Sequence, residues 1–426
     1  MTERGDGSAA PEEAGLLAQL VRIDSTDPGA YEDQIERFVR VWLEKRIRQA
    51  AGSDARGREL LSSGVSLEEL EVLPGRRCLR ALLRSAGEAT DAPAQPMASM
   101  AGASTCPADL TLLCHMDTVV LGEGWDEEID PLGGMVRDGR LYGRGSCDMK
   151  GGLACALLAF GDALDAAVAR GSLPQRSLAL VCTVDEEDVM RGSEAAIRAG
   201  WLGAQGWVMD LEPTGGALRM AHKGRTWFEL TMTGVTAHAS TPWEGADAIA
   251  GMAEAIRTVR LEVEGLPEDK ELGLSTVTFG QVKGGYSPYV VPDSCTVTID
   301  MRLVPPANTL LAQKIVQHAI DQAAQEVPGV AGSYRITGDR PPIPSNLQSG
   351  LVAAVQEAVR EVTGGPAPVD VFTGYTDTAV VAGLCGNGDC LSYGPGSLEL
   401  AHKPNEYVPL ADLARVRRVL TRLACA

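Results

Sequence analysis

The sequence predicts an α/β protein interrupted by a smaller α+β unit, and three observations carry that expectation. Brief apolar runs at 110–114, 178–183 and 207–210 each end in polar residues, as buried strands of an α/β sheet do at their carboxyl ends. Helical periodicity lies around them. From about Arg219, strands and helices alternate at closer spacing, which reads as a small sheet with helices on one face, inserted into the larger domain.

Taken in chain order, residues 16–23 and 31–47 read as amphipathic helices, the second with Ile35, Phe38, Val39, Trp42 and Leu43 at helical intervals. Short β-rich runs follow. Residues 85–108 hold Ala, Ser, Pro, Gly and Thr with few large apolar side chains, and read as an exposed insertion or loop. In the inserted unit, 226–233, 275–282 and 295–303 read as strands, and 246–263 and 308–327 have helical periodicity. Helix 346–362 and strand 390–393 resume the first texture. The expected boundaries are 1–218 with 336–426 for the larger domain and 219–335 for the insert.

Composition narrows the function classes. A chain of 426 residues is too long for one core. With 45% apolar and 22% charged residues it falls among soluble globular proteins. A net charge of −19 argues against nucleic acid, whose binding depends on Lys and Arg releasing counterions. Residues 1–15 carry acids and lack the basic and apolar regions of a secretory signal, so the expected location is cytoplasmic. The most apolar stretch, 151–168, is interrupted by Asp162 and Asp165 and reads as a buried helix, too short to span a bilayer; no membrane partner is expected. The ten cysteines are scattered without paired zinc-knuckle spacing, and the Cys385–Cys390 interval has no second pair to complete it.

Histidine is scarce, at positions 115, 222, 238, 318 and 402. In Leu112-Leu113-Cys114-His115-Met116-Asp117 an apolar strand delivers His115, and Asp117 can receive its second ring N–H. Such a carboxylate fixes the tautomer of a metal-ligating imidazole, though it serves a structural histidine equally well. The run Gly143-Arg144-Gly145-Ser146-Cys147-Asp148-Met149-Lys150-Gly151-Gly152 places an acid in a tight turn before an apolar helix, a position an N-cap aspartate also occupies. A dinucleotide fingerprint is excluded, because Asp148 stands where its third glycine belongs. Asp185-Glu186-Glu187-Asp188 follows strand 178–183, and successive acids repel one another unless they are solvated or face a cation. Glu212, before Pro213, is a further strand-end acid, and His402 lies in the loop Ala401-His402-Lys403-Pro404-Asn405-Glu406-Tyr407. Singly, each has an ordinary structural explanation. Their joint order carries the information.

In that order, the His-Met-Asp-Thr-Val, GRGSCDMKGG, Asp-Glu-Glu and Glu-Pro-Thr runs resemble the M20 family of metallopeptidases and deacylases, from about Leu16 to the end. The resemblance implies a zinc-peptidase-like α/β catalytic domain with an inserted ferredoxin-like lid and dimerisation domain, and hence a homodimer. It implies two zinc ions, with cobalt or manganese as substitutes: Asp148 bridging both, His115 and Glu212 completing one ion's ligands, Glu187 and His402 the other's. Glu186 is then the proton-transferring base, with Asp117 supporting His115. His238, in Gly234-Val235-Thr236-Ala237-His238-Ala239-Ser240, matches a segment whose histidine reaches a neighbouring subunit's site and helps bind a developing oxyanion. Arg302 matches an arginine offered to the substrate carboxylate, an ordinary strand-end salt bridge being the alternative. Gly374 lies in a loop, 373–377, that keeps the family's glycine-threonine-aspartate character. The peptide bond after the bridging aspartate is commonly cis in the family, which makes Asp148–Met149 a candidate.

Two departures bear on the substrate. Tyr289 precedes Val290-Val291-Pro292 where many relatives carry asparagine, and Thr378-Ala379 lacks an arginine often found nearby. The implied function is metal-dependent cleavage of an amide bond in an N-acyl amino acid or short peptide. Segment 394–402 looks closest to acetylornithine deacetylase and succinyl-diaminopimelate desuccinylase. A dipeptidase or carboxypeptidase of the same family, and a catalytically silent binding homologue, are the alternatives. His222 reads as structural and His318 as a surface residue of a helix.

Overall fold

The computed structural model describes residues 11–87 and 107–426. Most of the acidic start and of the 85–108 insertion therefore lies outside the described residues. The chain forms two compact units. One holds the described residues up to Arg219 with Asn346–Val369 and Thr376–Ala426, and the other holds Met220–Ser345 with Asp370–Tyr375.

The larger unit is built on a mixed sheet. Within it the strands Val65–Leu73, Arg76–Leu83, Leu178–Thr183, Leu110–His115, Trp207–Pro213 and Cys390–Gly394 lie side by side in that order. The four from Leu178–Thr183 to Cys390–Gly394 are mutually parallel. Leu110–His115 and Leu178–Thr183 are buried at every position, as strands covered on both faces must be. Parallel strands release their carboxyl ends along one edge of the sheet. His115 is in register with Thr183, so His115, the acids after Thr183, and Glu212 on the neighbouring strand all arrive at that edge.

The apolar stretch after Asp148 forms the helix Lys150–Arg170, longer than the sequence reading allowed. By length and composition alone it could cross a membrane, yet 72% of its most apolar window is buried inside the protein. It packs on the C-terminal helix Leu410–Ala424 and on Leu110–His115. Gly152 makes its seating possible: a Cβ there would lie 2.2 Å from the backbone oxygen of Leu211. The start of the helix can thereby press against the strand that carries Glu212.

In the second unit the strands lie in the order Thr276–Gly284, Ser294–Arg302, Arg225–Thr233, Ala331–Arg340, every neighbour antiparallel. With helices Ala248–Glu264 and Thr309–Glu326 the chain order is β-α-β-β-α-β, the ferredoxin-like arrangement. Strand alternation buries Phe228, Leu230 and Met232 beside Val297, Ile299 and Met301, and Met252, Val259, Ile315 and Val316 of the helices close the core. Asp247 and Asn308 cap the two helices by accepting backbone N–H groups of their first turns. The strand Ala331–Arg340, absent from the sequence reading, pairs along the whole of Arg225–Thr233, and its unit continues to Ser345.

Candidate metal centre

Five side chains from four loops and strand ends converge on Asp148. His115 Nε2 lies 3.3 Å from Asp148 Oδ1 and 3.5 Å from Glu212 Oε1. His402 Nε2 lies 3.4 Å from Asp148 Oδ2 and 3.0 Å from Glu187 Oε2. The two oxygens of one carboxylate thus face two different imidazole–glutamate pairs. Glu186 Oε2 is 4.0 Å from His115 Nε2, and Glu186 is buried. The Asp148–Met149 peptide is cis.

Local backbone explains how the groups are aimed. Asp185 follows its strand with φ 68°, and His402 has φ 63°; both are non-glycine residues in the left-handed region, which the surrounding structure must hold in place. The left-handed turn at Asp185 is fixed by Arg191, whose Nε donates to Asp185 Oδ2 at 2.6 Å, and by the Asp185 N–H, which donates to Glu32 Oε1 at 3.0 Å. Arg76 in turn pairs with Glu32, Asp27 and Asp185.

The electrostatics call for positive charge. Burial pushes Glu212, Glu186 and Glu187 up from the usual carboxylate range. Burial also works against the ionised Asp148, but the hydrogen bonds to His115 and His402 outweigh it and hold Asp148 down. His402 is pushed up to about 10 by its bonds to Asp148 and Glu187. Burial works against a charged His115, but Asp148 and the surrounding acids outweigh it. The same acids that push both imidazoles towards their charged forms are the ones a divalent cation would satisfy. Glu187 Oε1 is buried with no hydrogen-bond partner among the described residues.

The donor set fits a metal of the zinc class. Tetrahedral coordination with bonds of ~2.0–2.2 Å sets neighbouring donors about 3.3–3.6 Å apart. The four imidazole–carboxylate separations, 3.0 to 3.5 Å, lie close to that spacing. Glu186 is also near enough to join a ligand-like group with His115 and Glu212, so proximity alone does not separate a ligand from a base.

Asp117 differs from the sequence expectation. His115 Nδ1 is 3.0 Å from the backbone oxygen of Asp117, while the carboxylate Oδ1 stands at 3.6 Å. The carboxylate instead accepts the Glu187 N–H at 2.9 Å through Oδ2. A buried aspartate two residues beyond the histidine thus holds the acidic loop as well as adjoining the ring.

The remaining candidates belong to the second unit. Exposed His238 has Nδ1 2.7 Å from Ser240 Oγ and 3.2 Å from the Ser240 backbone nitrogen, so that ring nitrogen is engaged within its own loop. Arg302 gives Nε and Nη2 to Asp300, at 2.9 and 3.0 Å, so much of its fork is committed within its own strand. The Gly374 backbone is the hydrogen-bond partner of His222, which is buried and stacked on Phe372 with ring centroids 5.6 Å apart. His318 sits exposed on its helix, paired with Glu262. The sequence reading passed over Glu32, Arg76, Arg144 and Glu406. Arg144 and Glu406 lie inside motif runs and Glu32 and Arg76 outside them, and nothing in the sequence marks any of the four charges as buried.

Strands that deliver an imidazole and carboxylates to one sheet edge make metal-dependent hydrolases built on an α/β sheet the class to compare. Residues 111–426 match peptidase family M20/M25/M40, and the chain belongs to that family of hydrolases acting on amide bonds. It is 30% identical over 326 residues to acetylornithine deacetylase of Myxococcus xanthus, covering 75% of this chain and 80% of that one. It is 27% identical over 327 residues to the "Probable succinyl-diaminopimelate desuccinylase" of Staphylococcus aureus, covering 70% and 78%. A tripeptidase from Staphylococcus aureus has a similar fold, with a TM-score of 0.71, 22% identity, and 97% and 98% of the two chains covered.

Proposed function

We propose that the protein is a two-metal hydrolase of N-acyl amino acids, of the acetylornithine deacetylase and succinyl-diaminopimelate desuccinylase kind. One observation carries this reading: each oxygen of Asp148 faces its own imidazole–glutamate pair. Asp148 would bridge two ions, with His115 and Glu212 holding one and His402 and Glu187 the other. The mixed nitrogen and oxygen donors suit zinc, with cobalt or manganese as substitutes. Ions held there would polarise the scissile carbonyl and lower the pKa of a water.

The chain's own residues supply the rest. Glu186, buried beside the proposed ligands, would take a proton from the attacking water and deliver it to the leaving amine. Asp117 keeps His115 oriented and Glu187 in place. His238, its Nδ1 engaged by Ser240, would offer Nε2 to the oxyanion from a second subunit of a homodimer. Arg302, helped by the loop around Gly374, takes the substrate carboxylate with the part of its fork that Asp300 leaves free. The protein works in the cytoplasm on a small acylated amino acid or short peptide.

The test is hydrolysis of acetyl-, succinyl- and aminoacyl-amino acids and of short peptides, with zinc-loaded and chelator-stripped protein side by side. Zinc-dependent release of the free amino acid from an acetyl or succinyl substrate is expected. Turnover confined to peptides would move the assignment to a dipeptidase or carboxypeptidase. Two bound ions without any hydrolysis would make the protein a silent homologue.

A further inference from the structure

Two loops bring to the centre groups that lie far apart in the chain: 143–148, ending at Asp148, and 402–406, beginning at His402. One buried carboxylate joins them. Glu406 is 1% exposed. Its Oε1 accepts the backbone N–H groups of Cys147, at 2.8 Å, and Asp148, at 3.1 Å. Its Oε2 accepts from Arg144 Nη1 at 2.6 Å, and its backbone carbonyl accepts the Gly143 N–H at 2.9 Å. Arg144 reaches back to the carbonyl oxygens of Lys403, at 3.4 Å, and Leu121, at 3.0 Å, with its guanidinium 5.5 Å from the Trp125 ring centroid. Each loop therefore grips the other: Arg144 of the first holds backbone and carboxylate of the second, and Glu406 of the second holds backbone of the first.

A buried ion pair is a weak device for stability alone, because apolar side chains of similar volume often do as well. Glu406, however, does more than neutralise Arg144. Its second oxygen holds the two peptide N–H groups that set where the Asp148 Cα stands, and only three residues separate it from His402 in the chain. The acidic loop of Glu187 is held separately, by Glu32, Asp117 and Arg191.

We infer that Glu406, acting through Arg144 and the 147–148 backbone, is a positioning residue that sets the spacing of Asp148 and His402 for metal binding. The inference rests on the two-metal reading above. Because Asp148 would serve both ions, loss of Glu406 weakens both, and outer partners of ligands typically contribute ~10–100-fold in metal affinity.

The measurement is zinc titration against a chromophoric chelator, paired with thermal unfolding of the metal-free protein, for the wild type, Glu406→Ala and Glu406→Gln. Glu406→Ala is expected to weaken both zinc equilibria by about 10–100-fold. Glu406→Gln, which keeps an oxygen for the two N–H groups, is expected to lose less. Variants that melt earlier but bind zinc as the wild type does would make Glu406 a folding residue only and overturn the inference. If Glu406→Ala fails to fold, the Glu406→Gln titration decides: weakened zinc binding supports the inference, and wild-type affinity overturns it. A wild type that binds no zinc removes the two-metal reading and this inference together; a wild type that binds two ions with unaffected variants removes the inference alone.

Discussion

The two compact units differ most in where they put charge. The larger unit buries Glu32, Arg76, Asp117, Arg144, Asp148, Lys150, Asp185, Glu186, Asp210, Glu212, Asp377 and Glu406. In the described residues of the second unit, Arg225 is the one charged side chain that is buried, and the core is built from aliphatic, methionine and aromatic groups. Burying an ionised group is costly unless it is paired and hydrogen-bonded. The larger unit meets that demand with two separate ion networks, one around Arg76 and one around Glu406, and both adjoin the candidate centre. Its polar interior is organised around a site, whereas the second unit's interior is organised for packing.

The sharpest way to break this contrast is at Glu186. If the larger unit's buried charge serves chemistry, Glu186→Gln keeps both metals and lowers turnover by ~10²–10⁴-fold, the usual contribution of a positioned base. Turnover at the wild-type rate, measured with metal content confirmed, would remove Glu186 from the proposed role. The corresponding change in the second unit should act on stability instead. Phe228 is 1% exposed and meets Tyr334 edge-on at 5.6 Å, so Phe228→Ala should lower unfolding free energy by about 3–5 kcal/mol. Zinc affinity of the folded protein should not change, since none of the five proposed metal ligands lies in that unit. A drop in metal affinity without loss of stability in denaturant titration would reverse the contrast.

Legibility in the sequence follows the same division. His115, Glu186, Glu187 and Glu212 stand out in the sequence as polar residues at or just after the ends of short apolar strands, which parallel pairing carries to one edge. The roles proposed for them, however, come from the order of the motifs and the resemblance it carries. The hydrogen-bond partner of His115 was not readable: whether a ring N–H meets a side chain or a backbone oxygen depends on how the chain turns at Asp117. Arg144 and Glu406 are separated by 262 positions, and no local pattern links them. The strand Ala331–Arg340 escaped because its ten residues include Gly332 and Gly338 and few apolar side chains, so its alternation is faint; its pairing with Arg225–Thr233 is what makes it a strand. The helix Ala55–Gly64 was lost for a related reason. It is short and polar, and its cap is Asp54, which accepts the Gly57 N–H.

His222 offers a gentler way to sharpen the comparison, because it is an ionisable group that the second unit keeps uncharged. It is buried to 1% exposure, stacked on Phe372, and burial pushes it down to about 4. A histidine held neutral in the folded state takes up a proton more readily when unfolded. Its effect is therefore absent above about pH 6.5, and stability falls as the pH drops from there towards 4. The lowering from 6.5 to about 4 sets an upper limit of about 3 kcal/mol on that loss. His222→Gln removes the titration and keeps a donor for the Gly374 backbone. The difference in unfolding free energy between wild type and variant should shift by up to that amount between pH 7 and pH 4, the wild type losing more. Parallel curves for the two proteins across that range would mean that the ring is already solvated or protonated in the fold, and the second unit would then hold a buried charge after all.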